Sequence, residues 1–571
     1  MKHHTALRIV CGLTLALVSA AALAQTTNPR ATGAAQKKVR ARPTVAQNTQ
    51  PVAGVPFVEP PVIQSKDGVL ETMLQLCLTK TSLAGRALET GTYNAGIPGP
   101  TLRVKPGDTL KISLFNNLTL PGVGLACPAI PPKYVDCGRS ADTLKMHSDD
   151  HKPDPSVFLL TNLHTHGLQV SPVGNADNPY INLQPGEACR YQIQIPGSVS
   201  PADPFRPAQP AGLYWYHPHR HMSTSKQFWG GLSGAIIVEG EIDRVPEVAA
   251  ARERLLVLQE LWVDDQGHVP ANIVLPVGGH EGLEVPFTTN PAIPTNIYYA
   301  VNGLYQPTIP MQPGETQRWR ILNASPHRVY KLFLEGHHYR QIAQDGIAFA
   351  EARDIDQDNQ PIILAPGNRA EIVIQGLTGA ATNRTYAFKA LPFDQGHPAG
   401  ALPEVLLATV AYAGPVVTGR KLPTKLVTPP PDVTQLTGPA QRIVFSGRIL
   451  QEPVQFFING KQFNPDPMKV EPIYGQVGKA VEWTIVNEDV FRHPFHIHVN
   501  PFQVVEINGV KVERPIWWDT FALPAKDAQT GQPSEIKIRM RFRSDVSGRT
   551  VFHCHILPHE DSGMMSVFEL R

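Results

Sequence analysis

The tightest constraint on this chain lies near its C-terminus, in Val551-Phe-His-Cys-His-Ile-Leu-Pro-His-Glu-Asp-Ser-Gly-Met-Met565. Read as a strand running into a loop, alternation sends His553 and His555 to one side and Cys554 to the other. The thiolate of Cys554, the imidazole of His559 and the thioether of Met564 can then close around one metal. A cysteine sulfur, two imidazoles and a weak axial methionine form the ligand set of a blue-copper electron-transfer site, so a second imidazole has to come from elsewhere. His553 and His555 remain free to bind metal on the opposite face. One stretch would thus join two metal sites through covalent bonds.

Three further histidine clusters occur: His164-Thr-His166-Gly, His217-Pro-His219 and His493-Pro-Phe-His496-Ile-His498. In each, the paired histidines at i and i+2 point the same way from a strand. His493 lies an odd number of residues from His496 and points the other way, which makes it the natural second imidazole beside Cys554. The eight others, His164, His166, His217, His219, His496, His498, His553 and His555, suit a cluster of metals.

These motifs, in the order HxHG, HxH, HPxHxH and HCHxxxHxxxxM, resemble those of the multicopper oxidases, the laccase-like family, with every ligand position filled. The resemblance implies four copper ions. A type 1 copper would take His493, Cys554, His559 and axial Met564, and a type 2 copper His164 and His496. One type 3 copper would take His166, His217 and His555, the other His219, His498 and His553. Glu560, directly after His559, matches a position the family uses to relay protons to the oxygen intermediate. Asp177 resembles, through a two-residue shift, the family's acidic residue near the type 2 copper. The catalytic assignments are therefore Glu560, Asp177 and Cys554.

Composition fits an exported, turn-rich β protein. The chain is long enough for several domains at 571 residues, and its 55 prolines and 45 glycines favour β architecture. Its 51 basic and 49 acidic residues nearly cancel, which speaks against a nucleic-acid partner. Residues 1–24 read as a signal peptide: Lys2 and Arg8, an apolar run from Ile9 to Leu23, and a small-residue site at Ala22-Leu23-Ala24. The run is too short and too polar for a membrane span, so the mature chain is expected in the periplasm or secreted, acting as a monomer. Residues 25–60 are expected to form a disordered linker. In an oxidising compartment Cys77, Cys127, Cys137 and Cys189 can pair; three pairings are possible, and a local Cys127–Cys137 bridge with a longer Cys77–Cys189 bridge is the expectation.

A strand–turn–strand pattern recurs. It runs Gly99 to Asn117 about Pro106-Gly107, Pro307 to Asn323 about Pro313-Gly314, and, more weakly, Val477 to Asn487. Copies at domain-scale spacing suggest three related β-sandwich domains, and the resemblance makes them cupredoxin-like Greek-key sandwiches: an all-β fold with domains at 61–240, 255–413 and 440–571. The charged stretch Glu241 to Arg254 and the proline-rich Gly414 to Pro439 would link them. The histidine motifs fall in domains one and three, so the three-copper cluster should sit at their interface, with domain two a spacer that could also wall the substrate cleft. Domain one carries an insertion at 119–156, where His147, Asp149, Asp150, His151 and Asp154 offer donors for an auxiliary metal site; their spacing fits no ligand template, and a solvated polar loop is the simpler reading. Trp517, in a segment that resembles the family's sequence near the type 1 site, is either a donor-cleft residue or an ordinary core tryptophan.

Dioxygen takes four electrons to become water, whereas phenols and metal ions give up one at a time. The expected function is therefore laccase-like: single-electron oxidation of phenolic or aromatic donors coupled to reduction of O2 to two waters. The alternative is oxidation of cuprous, ferrous or manganous ion in metal homeostasis. A copper-binding protein without catalysis is disfavoured by the complete ligand set.

Overall fold

The computed structural model describes residues 54–119, 132–137, 159–197, 203–264, 267–269, 295–379, 384–396, 401–448, 455–464, 466 and 469–571. The expected signal peptide, most of the linker after it, Cys127 and the polar run from His147 to Asp154 lie outside these residues. Among the described residues, strands form six sheets, paired into three cupredoxin-like sandwiches in tandem. Each has its own apolar interior: Leu74, Ile112, Tyr191 and Ile236 in the first; Leu256, Trp319, Ile372 and Val410 in the second; Ile443, Trp483, Ile538 and Phe568 in the third.

The recurring turn pattern occupies the same place in every sandwich. Thr109–Asn117, Thr316–Ala324 and Ala480–Asn487 each lie between a parallel and an antiparallel neighbour. The parallel partners are Val69–Leu83, Arg252–Asp264 and Gln441–Arg448; the antiparallel ones are Glu187–Gln194, Arg369–Gln375 and Ser534–Arg541. The strand before the turn belongs to the facing sheet. Thr101–Val104, Thr308–Met311 and Ile473–Gly475 each run parallel to the last strand of their sandwich, Gly234–Val238, Val405–Tyr412 and Met565–Leu570. Crossing between sheets needs a left-handed residue, and Gly107, Gly314 and Gly478 supply it at φ +95°, +75° and +70°.

The charged linker is pinned by its charge. Arg318 and Arg320, buried on the central strand of the second sandwich, bind Asp243 (2.6 and 2.9 Å) and Glu371 (2.6 and 2.7 Å), and Arg320 also reaches Glu253 at 2.8 Å. Burying a guanidinium is costly unless carboxylates pair with it in this way.

Two expectations change. Residues 54–60, assigned by composition to the linker, are ordered along the second sandwich: Phe57 N–H donates to Thr308 O at 3.0 Å and Thr308 N–H to Val55 O at 2.9 Å. The chain's polarity did not reveal that an unpaired edge strand awaited it. The disulfide pairing is also different. Lys133–Tyr134 adds as a parallel strand beside Glu187 and Ala188, which carries Cys137 to a Cα separation of 5.4 Å from Cys189, and these two are joined. Cys189 is thus bonded to Cys137 and not to Cys77, which is itself disulfide-bonded. Peptide mapping without reductant should recover Cys137 linked to Cys189, and Cys189→Ser is expected to cost about 2–5 kcal/mol in denaturant unfolding.

Candidate metal centre

The imidazoles of His493 and His559 in the third sandwich converge on Cys554, which ends the strand Gly548–Cys554. Its Sγ lies 3.5 Å from His493 Nδ1 and 3.8 Å from His559 Nδ1, and the two imidazole nitrogens are 3.1 Å apart. The short helix Leu557–Asp561 returns the chain so that the backbone carbonyl of Met564, a fully buried residue, accepts the Cys554 backbone N–H at 3.0 Å. The Ile556 N–H points at the sulfur from 3.4 Å. Phe456 stacks on His559 at 4.0 Å and Phe491 meets it edge-on at 5.2 Å, which keeps the donors dry. Asp489, four residues before His493, takes the outer nitrogen Nε2 at 3.3 Å, leaving Nδ1 turned toward the sulfur.

On the other face of the same strand the eight remaining histidines meet, all buried. His164 lies directly opposite His217 across one strand pair, and His496 opposite His553 across another. The two sandwiches interlock through reciprocal ring stacks: His164 on His498 and His166 on His496, each at 3.9 Å and 11°. His219 Nε2 lies 3.1 Å from both His498 Nε2 and His553 Nε2. The rings of His166, His217 and His555 form a second group with centroids 5.0, 5.7 and 5.8 Å apart.

Five of the eight rings have an outward nitrogen held by a carbonyl or a carboxylate. His164 Nδ1 faces both oxygens of Asp177 at 3.0 Å, while Asp177 also accepts the Thr165 N–H at 2.9 Å. His217, His496 and His553 direct Nδ1 to the carbonyls of Pro218, Asp519 and Cys554 at 2.8, 2.8 and 2.9 Å. Inward, His164 Nε2, His166 Nδ1, His217 Nε2 and His496 Nε2 are buried without hydrogen-bond partners. Burial, with the neighbouring imidazoles, holds these rings well below the ordinary histidine range. Burial lowers His496 to about 4 and His219 to about 3. Neutral, oriented imidazoles with convergent lone pairs fit copper, and the thiolate set beside them fits it too.

Glu560 is fully buried, with neither carboxylate oxygen hydrogen-bonded, and Oε1 lies 4.0 Å from His219 Nδ1. Burial, then the charge of Asp561, raises its pKa well above the usual carboxylate value, which favours the protonated form. Burial likewise pushes Asp177 up to about 7, opposed by the Thr165 N–H. Trp517 belongs to an apolar group separate from the one around Cys554: it packs with Ile347, Val433 and Ala480, and its indole N–H donates to Pro430 O at 3.1 Å. The sequence did not single out Asp489, Asp519, Thr520, Gly367 or Arg369. Asp519 stood within the segment noted for Trp517, but Arg369 comes from the sandwich that carries no histidine motif.

Family sequence models described as multicopper oxidase match residues 158–242 and 428–571. A multicopper oxidase of Staphylococcus aureus is 25% identical, aligned over 83% of this chain and 82% of its own length. A laccase of Bacillus subtilis is 24% identical over 90% and 97%. Among solved structures, a Campylobacter jejuni multicopper oxidase described as a metallo-oxidase superposes with a TM-score of 0.65 at 22% identity, covering 90% of this chain and 95% of that one. The chain is thus similar to multicopper oxidases over most of its length, and the two segments that the family models match are those that carry the histidine motifs.

The unfolded chain protonates these histidines near 6.5, the folded one only near 4 at His496 and near 3 at His219. Stability of the metal-free protein should therefore fall as pH drops below 6.5, by about 1.4 kcal/mol per unit for each such group, readable by urea melts across pH. Asp177→Asn, which presents an amide to His164, should weaken copper binding in the histidine cluster about ten- to a hundred-fold in chelator competition.

Proposed function

We propose that this chain is a laccase-like oxidase, binding four coppers and coupling four one-electron oxidations of phenolic or aromatic donors to the reduction of O2 to two waters. The observation that carries this reading is the His553-Cys554-His555 run: one residue belongs to the thiolate site and both its neighbours to the histidine cluster. Copper, when bound, supplies the one-electron storage and the dioxygen chemistry. In this reading His493, Cys554, His559 and Met564 hold the type 1 ion; His164 and His496 hold the type 2 ion. His166, His217 and His555 hold one type 3 ion, and His219, His498 and His553 the other.

The chain's own groups do the rest. Cys554 offers a path through a few covalent bonds from its sulfur to either flanking imidazole. Asp489 and Asp177 fix the rings of His493 and His164. Glu560 keeps a proton 4.0 Å from a cluster ligand, where oxygen reduction needs it. Packing of Phe456 and Phe491 on His559 sets a dry rim through which a donor's electron enters. The donor class rests on two features: an axial thioether, which favours a moderate potential and easily oxidised donors, and only nine methionines in the chain, with no methionine-rich segment of the kind a cuprous donor calls for. Export to the periplasm or beyond, and action as a monomer, complete the proposal.

Oxygen uptake by the copper-loaded mature protein tests it. Fast uptake with 2,6-dimethoxyphenol and little with cuprous ion is the expected result; the reverse would make the chain a metal oxidase, the activity named for its Campylobacter neighbour. Glu560→Gln should slow oxygen reduction about ten-fold or more while leaving the blue band intact, and Cys554→Ser should abolish that band.

A further inference from the structure

The second sandwich reaches the histidine cluster. Between Ile363–Leu364 and Arg369–Gln375 the chain turns through Gly367 at φ +91°, where a Cβ would lie 3.0 Å from His166 Cε1 and 3.0 Å from His555 Cδ2. Two residues on, the Arg369 side chain is wholly buried and contacts all three sandwiches. Its Nε–H donates to Leu213 O of the first at 3.0 Å, on the strand that ends in His217. Its Nη1 donates to Gly367 O at 3.0 Å and to Asp519 Oδ1 at 2.8 Å; its Nη2 donates to Asp519 Oδ2 at 2.6 Å.

Asp519 turns that grip toward the cluster. Its Oδ1 faces His166 Nε2 at 3.2 Å and accepts from Thr520 Oγ1 at 3.0 Å, while its backbone carbonyl faces His496 Nδ1 at 2.8 Å. The inward nitrogen of His166 is therefore Nδ1, unlike His164, His217 and His496, whose inward nitrogen is Nε2. The pair also explains the glycine of His164-Thr-His166-Gly167. A Cβ on Gly167 would stand 2.5 Å from Arg369 Nη2 and 2.6 Å from Asp519 Oδ2.

We propose that Arg369 is a positioning residue of the copper cluster: it clamps the Asp519 carboxylate against His166, fixing that ring's tautomer and angle, so the second sandwich is part of the metal site. This rests on the reading of the eight histidines as copper ligands. Asp519 must accept at both oxygens, at Oδ1 from His166 and one prong of the guanidinium and at Oδ2 from the other prong. An amide cannot, because one of its faces would set a donor against a donor. A lysine at 369 would keep the charge but lose the two-pronged grip.

The test uses full-length, copper-loaded wild type, Asp519→Asn and Arg369→Lys. Copper per chain, chelator competition, the blue band, the near-ultraviolet band of a coupled copper pair and the type 2 EPR signal are compared. Both variants should keep the blue band and lose cluster affinity about ten- to a hundred-fold. The EPR and near-ultraviolet signatures should change, with kcat reduced and KM for the donor unchanged. Variants that only melt earlier, with wild-type cluster affinity and spectra, would overturn the proposal in favour of a plain inter-sandwich brace. If Arg369→Lys fails to fold, the near-isosteric Asp519→Asn decides alone: unaltered affinity and spectra overturn the role. A wild type that binds copper only at the thiolate site would instead overturn the cluster reading itself.

Discussion

Imidazole nitrogens that face one another at 3.1 Å in a water-excluded interface cannot all satisfy each other by hydrogen bonding. Each ring has one donor and one acceptor when neutral, and charging any of them there is opposed by burial. For five of the eight rings the arrangement is sustained from outside: carbonyls of Pro218, Cys554 and Asp519, and the carboxylates of Asp177 and Asp519, take the outward nitrogens and leave the other lone pair facing inward. The strands, the glycine turns and the sheet-to-sheet packing all serve that alignment.

The reciprocal stacks of His164 on His498 and His166 on His496 give the interface an approximate two-fold character. The first and third sandwiches present matching His-x-His segments to each other. The second sandwich breaks this evenness. It contributes no histidine, yet Gly367 lies against two rings of the cluster and Arg369 ties neighbours on both sides. A spacer would not need a buried guanidinium with partners in three sandwiches.

Most of the site could be read from the sequence because metal ligation is written in short motifs. The i, i+2 spacing of four histidine pairs and the odd offset of His493 follow from strand geometry alone, and the structure brings those side chains together in the two groups expected. The three-fold repeat was legible for a related reason: a glycine-bearing turn before an alternating strand is local. What stayed hidden was whatever depended on distant partners. Arg369 looks like any other charged residue of a strand until Asp519, 150 positions away, is placed against it. The partner of Cys189 depended on a two-residue edge strand at Lys133–Tyr134 that no periodicity marks. Trp517 was legible as aromatic and near the site, but its place in the core came from the proline-rich linker folding over it.

The two halves of the histidine cluster are far apart along the chain, one between His164 and His219 and the other between His496 and His555. Metal held between them acts as a cross-link that closes a loop of several hundred residues. The entropy of closing such a loop grows only with the logarithm of its length, so doubling it adds about 0.6 kcal/mol. The length of the intervening polypeptide is therefore almost free to vary, and a whole sandwich can be lodged within it at little thermodynamic cost. Its outer loops can lengthen or shorten without disturbing the cross-link. The short turn from Ala365 to Arg369 cannot, because there the closed loop folds back onto its own fastening.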